Sequence, residues 1–321
     1  MDKIKEQLKN TLSEIDLPDF GKKYRGKVRD NFHFQDKICM VTSDRVSAFD
    51  HVLGTIPFKG QILTEIANFW FDKTKDIVPN HIISTPDPQV LIVKKAKTLP
   101  VEIIIRGYIT GSLWRDYCDG KGDQYGFPMP KNLKKDQKFD TPIITPTTKE
   151  DYGLHDQPIS REEIIKTGLV DKETYELAEK YALKLFEAGQ KWASKQGLIL
   201  VDTKYEFGVD PSTGQITLAD EIHTPDSSRY WLMESYASRL ANGQEPESLD
   251  KEFLRLWITS QCDPYKDPVP NIPPNTLLEF SRKYVRLFEQ VTGQTFAHAP
   301  MDRPVIERIR ENLAKALPEY F

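Results

Sequence analysis

Cysteine is scarce. The chain has three in 321 residues, Cys39, Cys118 and Cys262, widely separated and odd in number. This leaves no zinc-ligand spacing and no disulfide framework, and it suits a reducing cytosol. No apolar run approaches membrane-spanning length. The first residues, Met1-Asp2-Lys3-Ile4-Lys5, lack an apolar signal core. A cytoplasmic protein with no membrane partner is therefore expected. Net charge is −4, so no electrostatic footprint for nucleic acid is present. Basic residues are spread along the chain, so any anion site must be local. Nucleophile motifs are missing too: there is no Gly-x-Ser-x-Gly, no activated cysteine context and no His-Glu-x-x-His. Walker A and Rossmann glycine patterns are likewise absent. A chain without a nucleophile suits phosphoryl chemistry, where catalysis is largely positioning and charge neutralisation.

The most informative run that is present reads Leu198-Ile199-Leu200-Val201-Asp202-Thr203-Lys204-Tyr205-Glu206-Phe207-Gly208. A strand sends alternate side chains to opposite faces, so Asp202, Lys204 and Glu206 share one. Turn residues follow at 210–214, then a second strand-like run at 216–222. A hairpin over 198–222 centred near Thr213 sets Glu206 roughly opposite Asp220. Like charges in that position repel. A hard cation such as Mg²⁺, held by one or two carboxylates and substrate phosphates, would relieve them. Lys204 could neutralise a phosphate beside it. A solvated hairpin face is the plain alternative, against which the apolar start of the run argues.

The length accommodates two domains. Residues 1–17 read as a short amphipathic helix through Ile4, Leu8, Leu12 and Ile15. Residues 24–105 are mostly strand-like, interrupted by a helix near 62–74, and outline a small antiparallel sheet domain over 1–105. A second, α/β domain is expected over 106–321. Within it, 119–160 is rich in Gly, Pro, Lys and Asp and shows little periodicity. A strong amphipathic helix covers 171–196, ahead of the hairpin. Further helices are predicted at about 227–241, 249–260, 275–292 and 303–316.

Five other segments carry residues suited to chemistry. Tyr24-Arg25-Gly26-Lys27-Val28-Arg29-Asp30 combines a glycine, which lets backbone amides approach phosphate, with two cations at alternate positions. A basic β-turn explains it as well. Ser43 to Asp50 follows a strand and decides nothing alone. In Ile103 to Trp114 a buried strand delivers Arg106, and Ser112 is placed to cap a helix over 113–118. Amides at a helix start, a hydroxyl and an arginine make an anion site. Thr145 to Asp156 brings His155 beside Asp156 in the irregular region. After the hairpin, Asp226 or Ser227 is placed to cap the next helix, with Arg229 in its first turn. An arginine is unfavourable there unless an anion compensates.

In order along residues 24–231, these segments resemble the SAICAR synthetase family. The matching residues are Gly26-Lys27-Val28-Arg29-Asp30, Ser47-Ala48-Phe49-Asp50, Glu102 through Ser112, Val201 through Gly208, Asp220-Glu221 and Asp226-Ser227-Ser228-Arg229. The long middle segment and the C-terminal helices resemble the longer fungal and bacterial form. The resemblance implies an α+β fold with a kinase-like nucleotide-binding sheet lobe and a larger α/β domain. It implies ATP-dependent joining of L-aspartate to the carboxylate of CAIR, an imidazole ribonucleotide, giving SAICAR, ADP and phosphate in purine biosynthesis. An acyl phosphate would be the intermediate. By position, Gly26, Lys27, Val28 and Arg29 would contact ATP, and Glu102 would lie at its adenosine end. Glu206 and Asp220 would hold Mg²⁺. Arg106, Ser112, Asp202, Lys204, Asp226 and Arg229 would surround CAIR and the reacting carboxylate, with Lys204 and Asp202 as the catalytic pair. The segment near Lys149 and His155 would serve as a lid, and the enzyme is expected to act as a monomer. A small-molecule kinase and a non-catalytic nucleotide sensor remain alternatives.

Overall fold

The computed structural model describes residues 2–18, 20–49, 51–150, 156–264 and 266–321. Asp50 and His155, both in candidate segments, lie outside the described residues. The N-terminal helix α1 spans Lys3–Gln7 only. Leu12 and Ile15 are buried, but lie outside any helix or strand. The reason is tertiary: the Leu12 amide donates to the Asp44 carboxylate at 2.7 Å, and the Asp44 amide donates to the Leu12 carbonyl at 2.8 Å. Those bonds use the backbone groups that a continuing helix would need.

Strands β1 (Lys22–Arg25), β2 (Arg29–His33) and β3 (Lys37–Thr42) form a meander. Strands β4 (Arg45–Ala48) and β5 (His51–Thr55) pair separately, followed by helix α2 (Lys59–Lys73). Strands β6 (Ile82–Asp87) and β7 (Val90–Lys94) complete an antiparallel sheet of order β1-β2-β3-β7-β6.

Next come β8 (Lys97–Tyr108), α3 (Gly111–Cys118), β9 (Lys138–Ile144), β10 (Thr147–Thr148), α4 (Arg161–Lys166) and α5 (Lys172–Lys195). They are followed by β11 (Leu198–Val209), β12 (Ile216–Ala219), β13 (Ser228–Leu232) and α6 (Met233–Ala241). Helices α7 (Glu252–Gln261), α8 (Pro274–Thr292) and α9 (Val305–Ala316) end the chain.

The chain packs as two compact units. One comprises 1–69, 81–95 and 249–321; the other comprises 70–80 and 96–248. This grouping differs from a linear cut at 105/106, because the C-terminal helices pack with the N-terminal sheet. Val305, Ile309 and Leu313 form one stripe of α9 and share a core with Phe20, Phe32, Val41 and Ile92. Arg308 of α9 is fixed by a buried pair with Asp87, at 2.9 and 3.1 Å. Strand β8, read with the first domain, belongs to the second unit through its antiparallel pairing with β11.

In the second unit, β8 and β11 are the long central strands of a six-stranded sheet. Strands β10 and β9 pair with β8, and β12 and β13 pair with β11. Helix α5 packs on this sheet, burying Tyr175, Ala178, Ala182, Leu185 and Phe186. Gly189 is required there, because a Cβ would approach Leu200 Cδ2 to 2.6 Å.

Three expectations are corrected. Residues 119–160 contain β9 and β10, whose ladders with β8 supply the order that periodicity did not reveal. Residues 228–232 are strand rather than helix, because Tyr230 and Trp231 are buried opposite Leu200 and Ile199. Arg229 therefore stands in a strand, and neither Asp226 nor Ser227 caps a helix. In the hairpin, Val209 pairs with Ile216, which sets Glu206 opposite Ala219. Asp220 falls just beyond the ladder, with φ +60°.

Candidate active site

In the first unit, Gly26, Lys27 and Val28 form the connection between β1 and β2, with Lys27 exposed. The Gly26 amide donates to the Arg29 carbonyl at 2.7 Å. A Cβ on Gly26 would come within 2.9 Å of that oxygen, so glycine lets the turn close this tightly. Behind it lies Arg45, 1% exposed. Its Nε donates to the Lys27 carbonyl at 3.1 Å, Nη2 to the Gly26 carbonyl at 3.1 Å, and Nη1 to the Ser13 carbonyl at 2.6 Å. The guanidinium also pairs with the buried Asp30 carboxylate. Ser43 Oγ donates to the Val28 carbonyl at 2.7 Å, as does the Ser43 amide at 2.9 Å. By sequence, Ser43 and Arg45 suit ligand binding and an ordinary turn equally.

In the second unit, register sets Asp202 opposite Arg106, Lys204 opposite Ile104, and Glu206 opposite Glu102. Alternation puts all six on one face of the sheet. Two carboxylates thus face each other, and Lys204 joins them: Nζ donates to Glu102 Oε1 and Glu206 Oε1, both at 2.5 Å. Lys149 pairs with the other oxygen of Glu206. Both glutamates are nearly buried. Burial pulls the Lys204 ammonium toward deprotonation, but Glu206, Glu102 and Asp220 outweigh it and hold its pKa well above the usual lysine value. Burial raises Glu206, but Lys204 and Lys149 prevail, so its carboxyl lies well below the ordinary range. Glu102 goes the other way: burial raises it, and Lys204 offsets this only in part.

Beside this group lies a second one. Asp202 pairs with Arg229, its neighbour on β13, and more loosely with Arg106 Nη1 at 3.5 Å. Arg106 Nε donates to Thr145 Oγ1 at 2.7 Å, and Nη2 to Ser112 Oγ at 3.3 Å. Ser112 is therefore an acceptor for Arg106 and not the helix cap; Thr110 occupies the N-cap of α3 without a side-chain capping bond. Gly111, φ +57°, leaves room where any Cβ would collide with the Arg229 guanidinium. Two guanidiniums meet here near the start of a helix, an arrangement that suits an anionic ligand. Asp226 stands in the turn before β13, where its amide donates to Thr224 Oγ1 at 3.3 Å.

Thr145, Thr147 and Lys149 reach the same face at alternate positions. Thr145 meets Arg106, Thr147 Oγ1 donates to Glu102 Oε2 at 3.2 Å, and Lys149 meets Glu206. Their period-2 spacing was a usable strand signal. Beneath the hairpin end, His223 is buried, shares a 2.5 Å hydrogen bond with Tyr205, and packs edge-on against Trp70. Burial pushes its pKa down to about 3, so it stays neutral and fixes the segment carrying Asp220 and Glu221.

These paired polar strands lie inside a stretch that matches a known family. The SAICAR synthetase family model matches residues 22–272. The chain belongs to the SAICAR synthetase family. A phosphoribosylaminoimidazole-succinocarboxamide synthase of Legionella pneumophila (strain Paris) is 50% identical over 311 residues, covering 95% of this chain and 98% of the relative. A chloroplastic relative from Arabidopsis thaliana is 46% identical, covering 98% of this chain and 78% of that protein. Among solved structures, SAICAR synthase from Saccharomyces cerevisiae complexed with SAICAR superposes with TM-score 0.78. It is 33% identical and covers 90% of this chain and 100% of that one. A type-2 SAICAR synthetase in complex with ADP superposes with TM-score 0.66 at 26% identity, covering 86% and 100%. As a SAICAR synthetase, the chain is an ATP-dependent carbon–nitrogen ligase of purine biosynthesis, with an α+β fold. The kinase and sensor alternatives are set aside. Among the described residues no helix is long and apolar enough to cross a membrane.

Proposed function

We propose that the ligase divides its substrates by unit: the turn at Gly26, Lys27, Val28 and Arg29 takes the ATP phosphates, while the β8/β11 face takes CAIR and the carboxylate to be activated. The observation that carries this is the charged face itself, where Glu102, Arg106, Asp202, Lys204 and Glu206 stand on two paired strands. Arg106, Ser112 and Arg229 would bind the anionic groups of CAIR. Asp226 is kept as a further contact. Glu102 is assigned to the nucleotide end, sharing Lys204 with Glu206.

Among the described residues no three His, Cys, Asp or Glu side chains stand close enough to hold a metal alone. Mg²⁺ needs fewer protein ligands, because phosphates and water complete its shell. Glu206, Glu102 and Asp220 all act on the one Lys204 ammonium, so carboxylate charge gathers here in a form that suits such an ion. Glu206 and Asp220 would hold it, and bound Mg²⁺ would supply charge neutralisation at the transferring phosphoryl group.

The chain's own residues would do the rest. A carboxylate acylates poorly, so the CAIR carboxylate oxygen attacks the γ-phosphorus of ATP, forming an acyl phosphate and releasing ADP. Lys204, already cationic, offsets the charge on that group. The aspartate amine would then attack the acyl carbon and phosphate would leave, with Asp202 taking up the amine proton. No enzyme nucleophile is required. The enzyme would work as a monomer in the cytoplasm, and its three free thiols are consistent with a reducing setting. ADP release measured with CAIR and aspartate each omitted tests the order. Full ADP release without CAIR would overturn activation of its carboxylate.

A further inference from the structure

We propose that Arg45 is the positioning residue of the phosphate turn, setting its backbone amides toward the anion without touching the anion itself. This rests on the nucleotide reading of Gly26 to Arg29. A trans peptide is planar, with its carbonyl and N–H pointing in opposite directions. Arg45 draws the carbonyls of Gly26 and Lys27 inward, at 3.1 Å each. The N–H groups across those same peptide planes, those of Lys27 and Val28, are therefore turned away from Arg45. Ser43 does the same at the next peptide, holding the Val28 carbonyl and so directing the Arg29 N–H. Successive amides oriented in this way form an anion-binding concavity.

The choice of side chain follows from geometry. Three guanidinium nitrogens reach three different main-chain carbonyls, while Asp30, 1% exposed, balances the buried charge. Only a rigid planar fork reaches those directions together. A lysine ammonium keeps the charge but presents a compact point donor. Arg45 lies in β4, a different strand pair from the turn it holds, so the contact is made only in the folded unit. Its work is orientation: the positive charge faces carbonyl oxygens, and the amides face the ligand.

The test compares Arg45→Lys, Ser43→Ala and Lys27→Ala in the full-length enzyme. ADP and a non-hydrolysable ATP analogue are titrated calorimetrically, KM is measured for ATP and for CAIR, and thermal melting monitors the fold. Arg45→Lys is expected to weaken both nucleotides about tenfold or more, with KM for CAIR unchanged. Ser43→Ala should act in the same direction but less strongly, and it keeps the test open if Arg45→Lys fails to fold. If Lys27→Ala weakens nucleotide binding while folded Arg45→Lys and Ser43→Ala do not, the positioning role is overturned. Equal weakening toward nucleotide and CAIR would also overturn it, as a general structural effect. If all three variants bind nucleotide normally, the nucleotide reading of the turn itself has failed.

Discussion

In the first unit the buried charge lies behind the turn proposed to bind phosphate. Arg45 is buried, and its donors go to main-chain carbonyls, so what the turn presents is oriented backbone. In the second unit the charged side chains themselves form the face proposed to bind CAIR. Glu102, Lys204, Glu206 and Lys149 pair with one another there, and Asp202 pairs with both Arg106 and Arg229. A site of oriented amides carries little net charge to desolvate and tolerates an exposed position. A site of buried charges needs every member present, because removing one leaves an uncompensated ion. The first should lose affinity in proportion to lost geometry, and the second should lose stability as well as function.

The largest effect is expected from Lys204→Met, which leaves Glu102 and Glu206 facing each other. Breaking a buried ionic group in this way costs about 3–5 kcal/mol of unfolding free energy. The pH dependence should also change. In the wild type, Glu206 is held low, so its contribution is present above the unfolded value of about 4.3 and is lost as pH falls through the folded value. Lys204, held high, contributes below about 10.4 and loses that contribution as pH rises through its folded value. In the variant, protonation relieves repulsion, so stability should rise from about pH 7 to about pH 5. Urea unfolding at several pH values reads this. A parallel pH slope in both proteins would contradict the shared-cation description.

Glu206→Gln comes next. It keeps the shape but removes a carboxylate assigned to Mg²⁺, and ligation should fall by roughly 10²–10³-fold. Nucleotide binding without metal should stay within about threefold, since the phosphate turn lies on other strands. Near-normal turnover at low Mg²⁺ would remove Glu206 from the metal site.

A reciprocal pair then separates the two sites. Arg106→Ala should weaken CAIR by roughly ten- to a hundredfold and spare ATP analogues, and Lys27→Ala should do the reverse. If Arg106→Ala weakens ATP and spares CAIR, the two anion sites have been exchanged. The smallest effect belongs to Ser112→Ala, which loses one 3.3 Å bond from Arg106. CAIR binding should weaken less than about tenfold. Thermal stability should not move, because Ser112 caps no helix. A clear drop in melting temperature would restore the cap reading.

Periodicity alone made the shared face of Asp202, Lys204 and Glu206 legible, along with helix α5 and the strand that delivers Arg106. Strand alternation is a local property and does not depend on what the strand pairs with. Partners were not legible. Setting Glu206 against Glu102 needed the β8/β11 register, and moving Asp220 off the ladder needed one residue of hairpin register. Arg229 reads as helical until Tyr230 and Trp231 find a sheet to be buried in. Leu12 and Ile15 match a helix pattern that bonds to Asp44 override. The sequence by itself determined which side chains alternate, where long helices run and which chemistry is absent. Tertiary structure decided which charges meet and which carbonyls Arg45 holds. Those contacts join residues far apart in the chain, and their energies come from burial and opposing charge, which exist only once the strands have paired.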